Sequence, residues 1–197
     1  MFEIHPVTLE GGLIRLETLD QRHYNDLIAG MDADTFRNYP WPPVGDSEDD
    51  FRRFLDDFPR LPERLTLVVI DRATGQAVGS SSMYDFRPRD SGLEIGYTWL
   101  NAAYRGTAFN PEMKLLMFAH AFETLSCVRV QLKTDARNAR SLAAMRRLGF
   151  TEEGTLRRHL LTHEGIHRDT VFFSVIAEEW PSVKVSLTQR IMDLSRS

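Results

Sequence analysis

The segment best suited to chemistry is Tyr104-Arg105-Gly106-Thr107-Ala108-Phe109-Asn110-Pro111. It lies between an alternating apolar run ending near Leu100 and a helical pattern starting at Pro111. A phosphate cradle needs free backbone N–H groups, small residues for close approach, and the positive end of a helix dipole. Gly106 and Ala108 are small, and Arg105 carries a fixed charge suited to bidentate phosphate contact. An ordinary strand-to-helix turn with a surface arginine would look the same, so the segment alone leaves both readings open. His159, His163 and His167 recur every fourth residue, which on a helix would make a metal-binding face. The Glu164-Gly165 turn and the β-type neighbours argue for strands instead, and no metal is expected.

These residues need elements to hold them. Residues 8–19 read as a strand turned at Gly11-Gly12, and Asp20 caps a helix carrying Tyr24, Leu27, Ile28 and Met31. Ser47 with Asp50 resembles a capping box opening a second stripe of Phe51, Phe54, Leu55 and Phe58. Two strands, 65–70 and 77–86, follow around an Ala73-Thr74-Gly75 turn. A third strand alternates Leu93, Ile95, Tyr97 and Trp99 on one face, with Glu94, Gly96 and Thr98 on the other. Asn110 is expected to cap a helix with Pro111 at its first position, reaching about Leu125 with Leu115, Phe118, Ala119 and Phe122 inward. Val128, Val130 and Leu132 alternate as a strand, and a helix over 139–148 stops at Gly149. Residues 156–162 and 170–176 pair as strands through a His163-Glu164-Gly165 turn. A last helix carries Val183, Leu187, Ile191 and Leu194. The order predicts an α/β fold with a mixed, mostly antiparallel central sheet and helices on both faces.

The 197 residues, 42% hydrophobic and 26% charged, suit one domain spanning 1–197 with a core that needs no disulfides. Cys127 is the lone cysteine of the sequence, so no internal disulfide forms; it reads as a buried, inert thiol in a reducing, cytoplasmic setting. The opening Met1-Phe2-Glu3-Ile4-His5-Pro6 lacks a signal-peptide pattern, and no apolar run approaches the roughly 20 residues that cross a bilayer. A net charge of -4 argues against nucleic acid, whose phosphates call for a basic face. No membrane association is expected either.

A second segment gives the first its context. Thr134-Asp135-Ala136-Arg137-Asn138-Ala139-Arg140-Ser141 precedes a short helix ending Arg146-Arg147-Leu148-Gly149-Phe150. With these residues the chain resembles the GNAT family of N-acetyltransferases, and in particular the branch acetylating ribosomal-protein N-termini. Gly106-Thr107-Ala108 matches the second half of that family's phosphate loop, with Ala103 where Gln or Arg is usual and Pro111 where a small or polar residue is. Asn138, Ser141 and Leu148-Gly149-Phe150 match its later signature in spacing. Glu153-Gly154-Thr155-Leu156-Arg157, Arg168-Asp169 and Glu179-Trp180 resemble the branch's C-terminal pattern, so the likeness runs from Leu13 to the last helix.

The resemblance implies direct transfer of acetyl from acetyl-CoA, as co-substrate, to a primary amine on a small molecule or a protein N-terminus. Under that implication Thr98, Trp99 and Leu100 supply backbone donors for the oxyanion, while Arg105, Gly106, Thr107, Ala108, Phe109, Asn110, Asn138, Arg140 and Ser141 hold the cofactor. Ser141 is placed at the leaving thiolate, with Tyr104 as its rival; a serine in a first helical turn needs no such role. Glu94 is the candidate base, with a salt-bridged strand glutamate as the equal reading. Tyr39 and Trp41 are candidates for the acceptor site, core packing being the alternative. The resemblance also implies a homodimer. The competing function is a non-catalytic acyl-CoA-binding or sensing module on the same fold.

Overall fold

A computed structural model describes residues 5–32, 34–57 and 64–196. Eight strands form one sheet in the order β1-β2-β3-β4-β5-β6-β8-β7. They are β1 (Thr8–Glu10), β2 (Ile14–Thr18), β3 (Leu65–Asp71), β4 (Ala77–Arg87), β5 (Gly92–Leu100), β6 (Arg129–Asp135), β7 (Thr151–Leu161) and β8 (His167–Ile176). Among the described residues only β5 and β6 pair in parallel, and every other pairing is antiparallel. The fold is thus the mixed, mostly antiparallel α/β sheet that the pattern predicts.

The helices are α1 (Tyr24–Ala29), α2 (Glu48–Asp57), α3 (Phe109–Ala119), α4 (Ala139–Arg147) and α5 (Trp180–Ser195). They divide the apolar residues into two clusters. The larger joins Met113, Met117 and Phe118 of α3, Met145 of α4 and Leu187 of α5 to Leu67, Leu93, Val130 and Phe173 of the sheet. The smaller joins Tyr24 and Leu27 of α1 and Leu55 of α2 to Val68, Ile70 and Trp99 on the other face of the sheet. Neighbours along β3 fall in different clusters, which is why that strand is buried throughout and reads as an unbroken apolar run.

The caps follow local chemistry. Asp20 caps a short 3-10 turn ahead of α1, accepting from the amide of Arg22 at 3.0 Å. Met31, expected on this helix, falls beyond its end. At α2, the amide of Asp50 donates to Ser47 Oγ and the amide of Ser47 donates to Asp50 Oδ2, each at 3.2 Å, so the capping box forms. Phe58 and the opening Met1–Ile4 lie outside the described residues.

Two expectations need correction. Helix α3 begins at Phe109 with Ala108 as its cap, so Asn110 and Pro111 both sit inside the first turn rather than at its border. A proline there costs no hydrogen bond, because the first-turn amides have no helical acceptor. The inward face of α3 is Met113, Lys114, Met117 and Phe118, while Leu115, Ala119 and Phe122 are only half-buried. The helix then passes into a π-helical turn over His120–Thr124.

The second correction concerns β5. Ser80 pairs with Trp99 and Ser82 with Gly96, so Tyr97 and Thr98 together face the single residue Ser81. Tyr97 takes a positive φ of 50° to allow this bulge. The extra residue breaks the alternation expected along the strand. Leu93, Ile95 and Leu100 belong to the α3-side cluster, whereas Tyr97 and Trp99 pack in the α1/α2 cluster. The bulge therefore sets Tyr97 and Trp99 on the face that carries Glu94.

Candidate active site

Three neighbouring features meet at the end of β5. The first is the loop between β5 and α3. Gly106 has φ 82°, the left-handed conformation that a side chain disfavours, and this turns the chain into the helix. Thr107 Oγ donates to the carbonyl of Tyr104 at 2.8 Å and receives the amide of Phe109 at 3.3 Å. The amides of Gly106, Thr107, Ala108 and Asn110 have no hydrogen-bond partner among the described residues. Such a row of N–H groups at a helix start fits a phosphate. Glu112 does not oppose it, because its carboxylate turns away to accept the amides of Gly12, Leu13 and Ile14 at 2.6, 2.9 and 3.0 Å.

Arg105 is differently employed than its charge suggests. Its Nε donates to the carbonyl of Leu100 at 2.9 Å, and its Nη2 reaches Asp32 at 2.8 Å and Thr35 at 3.0 Å. The Arg105 guanidinium holds Asp32 down to about 2. Arg105 thus ties the chain after α1 to the cradle. Tyr104 is also committed: its hydroxyl donates to Asp71 at the end of β3, at 3.0 Å.

The second feature is a gap in the sheet. The β5–β6 register covers only Gly92–Arg129, Leu93–Val130 and Glu94–Gln131. Both strands continue, to Leu100 and Asp135, without pairing to each other. The edge of β5 over residues 95–100 therefore faces an opening into which an extended ligand could lay its own donors and acceptors. At the far side of the opening, Asn138 caps α4 by accepting the amide of Ser141 at 3.1 Å. Ser141 is half-buried, its Oγ without a partner among the described residues, while Arg140 is exposed. The cradle, the gap and the α4 start fit the diphosphate, the extended arm and the thioester end of acetyl-CoA.

The third feature is a polar cluster around Glu94, which is 1% exposed. Its Oε1 accepts from the Tyr84 hydroxyl, and its Oε2 accepts from Gln131 Nε2 at 2.9 Å and Lys133 Nζ at 3.0 Å. Burial first, and then the charge of Glu94, push the Tyr84 phenol well above its ordinary range. Gly96 makes this contact feasible, since a Cβ there would lie 2.8 Å from the Tyr84 hydroxyl oxygen. Tyr97 packs against Tyr84 and Tyr39 at ring distances of 5.0 and 5.8 Å. Tyr39 is buried and Trp41 is 54% exposed. The loop that carries them meets the β7–β8 turn, where the amide of His163 donates to the carbonyl of Pro40 at 2.9 Å.

Sequence reasoning missed Lys114. It is 7% exposed, its Nζ donates to Thr98 Oγ1 at 2.8 Å, and that oxygen lies 2.7 Å from Ser81 Oγ. Burial holds the amine down to about 7. A stripe set on Met113 and Met117 would have placed Lys114 inside; the stripe set on Leu115 and Phe118 did not. Tyr84 and Lys133 were also missed, and Arg168 stood out only as part of the C-terminal pattern, because pairing across strands has no signal in one sequence. Among the described residues no cluster of three or more His, Cys, Asp or Glu could hold a metal.

Known proteins share this architecture. A "putative acetyltransferase from T. thermophilus" superposes with a TM-score of 0.89 at 34% identity, over 96% of this chain and 100% of that one. A GCN5-related N-acetyltransferase from Brucella melitensis gives 0.87 at 28% identity, over 94% and 86%. The "Putative ribosomal N-acetyltransferase YdaF" of Bacillus subtilis (strain 168) is 31% identical over 110 residues, which span 56% of this chain and 59% of that protein. The family model described as "Acetyltransferase (GNAT) domain" matches residues 14–151. The chain belongs to the GNAT family of acetyltransferases.

Proposed function

We propose that this protein, acting as a single domain, transfers acetyl from acetyl-CoA to a primary amine by direct attack. The observation that carries this reading is the coincidence of a gap between β5 and β6 with unpaired amides at one end and the Glu94 cluster beside it. Acetyl-CoA supplies the activated acetyl group as a thioester. The open edge of β5 around Thr98 to Leu100 offers backbone donors for developing negative charge. Ser141 Oγ, in the first turn of α4, gives a proton or hydrogen bond to sulfur in this reading, and the positive end of the α4 dipole favours the same developing thiolate. Glu94 accepts hydrogen bonds from Lys133, Gln131 and Tyr84, so in this reading it receives the acceptor's proton through the Tyr84 hydroxyl rather than by direct contact.

An α-amine is the favoured acceptor. Its pKa near 8 lies well below the 10.4 of a lysine, and making the lysine neutral at pH 7 costs about 3 kcal/mol more. A base so fully hydrogen-bonded as Glu94 suits the easier task. The name of the Bacillus subtilis relative supports a protein N-terminus as one such acceptor. Glu94→Gln should lower kcat by about 10²- to 10⁴-fold while leaving the acetyl-CoA affinity within about threefold. Steady-state thiol release with a reactive amine checks this, and an unchanged kcat would remove Glu94 from the mechanism.

A further inference from the structure

The far end of the polar cluster holds a cation that the acetyl transfer does not use. Arg168 is 6% exposed on β8, and its Nε is buried without a hydrogen-bond partner. Arg168 makes no salt bridge among the described residues. Asp135 is near enough for its charge to act on Arg168, but its carboxylate is held by Arg137, at 3.1 Å from Nε and 2.8 Å from Nη2. Lys133 is likewise matched by Glu94 at 3.0 Å. Arg168 is thus a buried cation at the β8 side of the cluster, while Arg64 lies over its other side, 5.4 Å from the Tyr84 ring and 4.0 Å from the Tyr97 ring.

Two other buried polar atoms share this place. Thr170 Oγ1, fully buried, has no partner, and it lies two residues from Arg168 and so on the same face of β8. His159 Nδ1 is also buried without one, the ring resting edge-on against Phe172 at 5.4 Å. Burial, and then the charges of Lys133 and Arg168, lower the His159 pKa, so the imidazole stays neutral at neutral pH. The strand geometry brings His159 there. Between the pairs Leu156–Thr170 and Leu160–Arg168, three β7 residues oppose the single residue Asp169, which accepts the amide of Arg158 at 2.7 Å. Unpartnered polar groups in such a setting are costly to bury, a guanidinium most of all.

Their location is near the reacting end. Lys133 Nζ, 3.0 Å from Glu94, lies 5.6 Å from the Tyr84 ring and 5.9 Å from the ring of Phe172, against which His159 rests. The charge of Arg168 also acts on Tyr84 and Tyr97.

We infer that Arg168, with Thr170 and His159, binds a carboxylate of the acceptor, so that the acceptor class is an amine carrying an acidic group. The guanidinium fork matches a carboxylate, and the Thr170 hydroxyl and His159 ring offer it polar partners. This rests on the acetyl-transfer reading for the word acceptor, but not for the binding itself. Calorimetric titration of the CoA-saturated protein tests it with two matched pairs: leucine against leucinamide, and the peptide amide Ala-Glu-Ala against Ala-Gln-Ala. At least one acidic member should bind tenfold or more tightly than its neutral partner, with the first pair marking a small-molecule carboxylate and the second an acidic side chain. The preference should fall below threefold in Arg168→Gln and be partly kept in Arg168→Lys, each still stabilised by acetyl-CoA. Equal binding within both pairs, or a preference that survives Arg168→Gln, overturns the inference. Thiol release followed in parallel with acetyl-CoA separates the two ideas: selective binding without turnover sinks the transferase reading and leaves the carboxylate site standing.

Discussion

Lys114 carries its charge into an apolar cluster with only a threonine hydroxyl to receive it, and the free energy of that choice depends on pH. Burial lowers its pKa from 10.5 to about 7. Between these values the unfolded chain binds one more proton than the folded chain, so stability rises with pH across that window. Below about pH 7 the amine is charged in both states, and the folded state bears the full cost of burying it. Thermal scans at pH 6.5 and 9.5 should therefore show the wild-type midpoint gaining on that of Lys114→Met as pH rises, with the variant the more stable at pH 6.5. A parallel response of the two proteins would show that Lys114 is not held neutral. The same amine bonds to Thr98 beside the β5 bulge, so Lys114→Met should also loosen the strand edge that faces the ligand. None of this was legible in the sequence, where a lysine on an amphipathic helix reads as solvated. Cys127 was legible: it is 2% exposed, with burial pushing its thiol up to about 11.

At the scale of elements, short-range signals were readable and irregular ones were not. Ser47 with Asp50 at α2, Asn138 at α4 and Gly149 after α4 act through neighbours a few residues away, and each does what its type suggests. The bulge in β5 depends on how β4 pairs, so the alternation of Leu93, Ile95, Tyr97 and Trp99 misled about faces. Glu94 was found from its strand position, yet its network with Tyr84, Gln131 and Lys133 spans three strands. Arg105 was recognised as a loop cation, but its link to Asp32 and Thr35 crosses some seventy residues of chain and could not be foreseen. That link predicts a coupling. Arg105→Ala should weaken acetyl-CoA binding about three- to tenfold, since the loop loses its anchor, an effect of about 1 kcal/mol for part-buried charged hydrogen bonds screened by solvent. It should also raise the KM of the acceptor, because the chain carrying Tyr39 is released. Initial-rate kinetics varying each substrate check both; a change confined to one substrate would mean that the tether does not couple them.

Across the whole molecule, the sheet separates two tasks. Its α3 side holds the larger apolar cluster, which braces the helix behind the cradle, while the other side carries Glu94, Tyr84, Lys133 and Arg168. The unmade β5–β6 ladder connects the two, and the proposed reaction would bring cofactor and acceptor together there from opposite faces. In the proposed function acetyl-CoA occupies that gap with its phosphates on the amides of Gly106 to Asn110. Thermal unfolding with and without excess acetyl-CoA tests it most directly. At about one hundred times Kd, binding adds about 2.7 kcal/mol, which raises Tm by roughly 5–10 °C for a chain of this size, and Gly106→Ala, strained at its positive φ, should reduce the shift. No shift in the wild-type protein at millimolar acetyl-CoA would contradict the account.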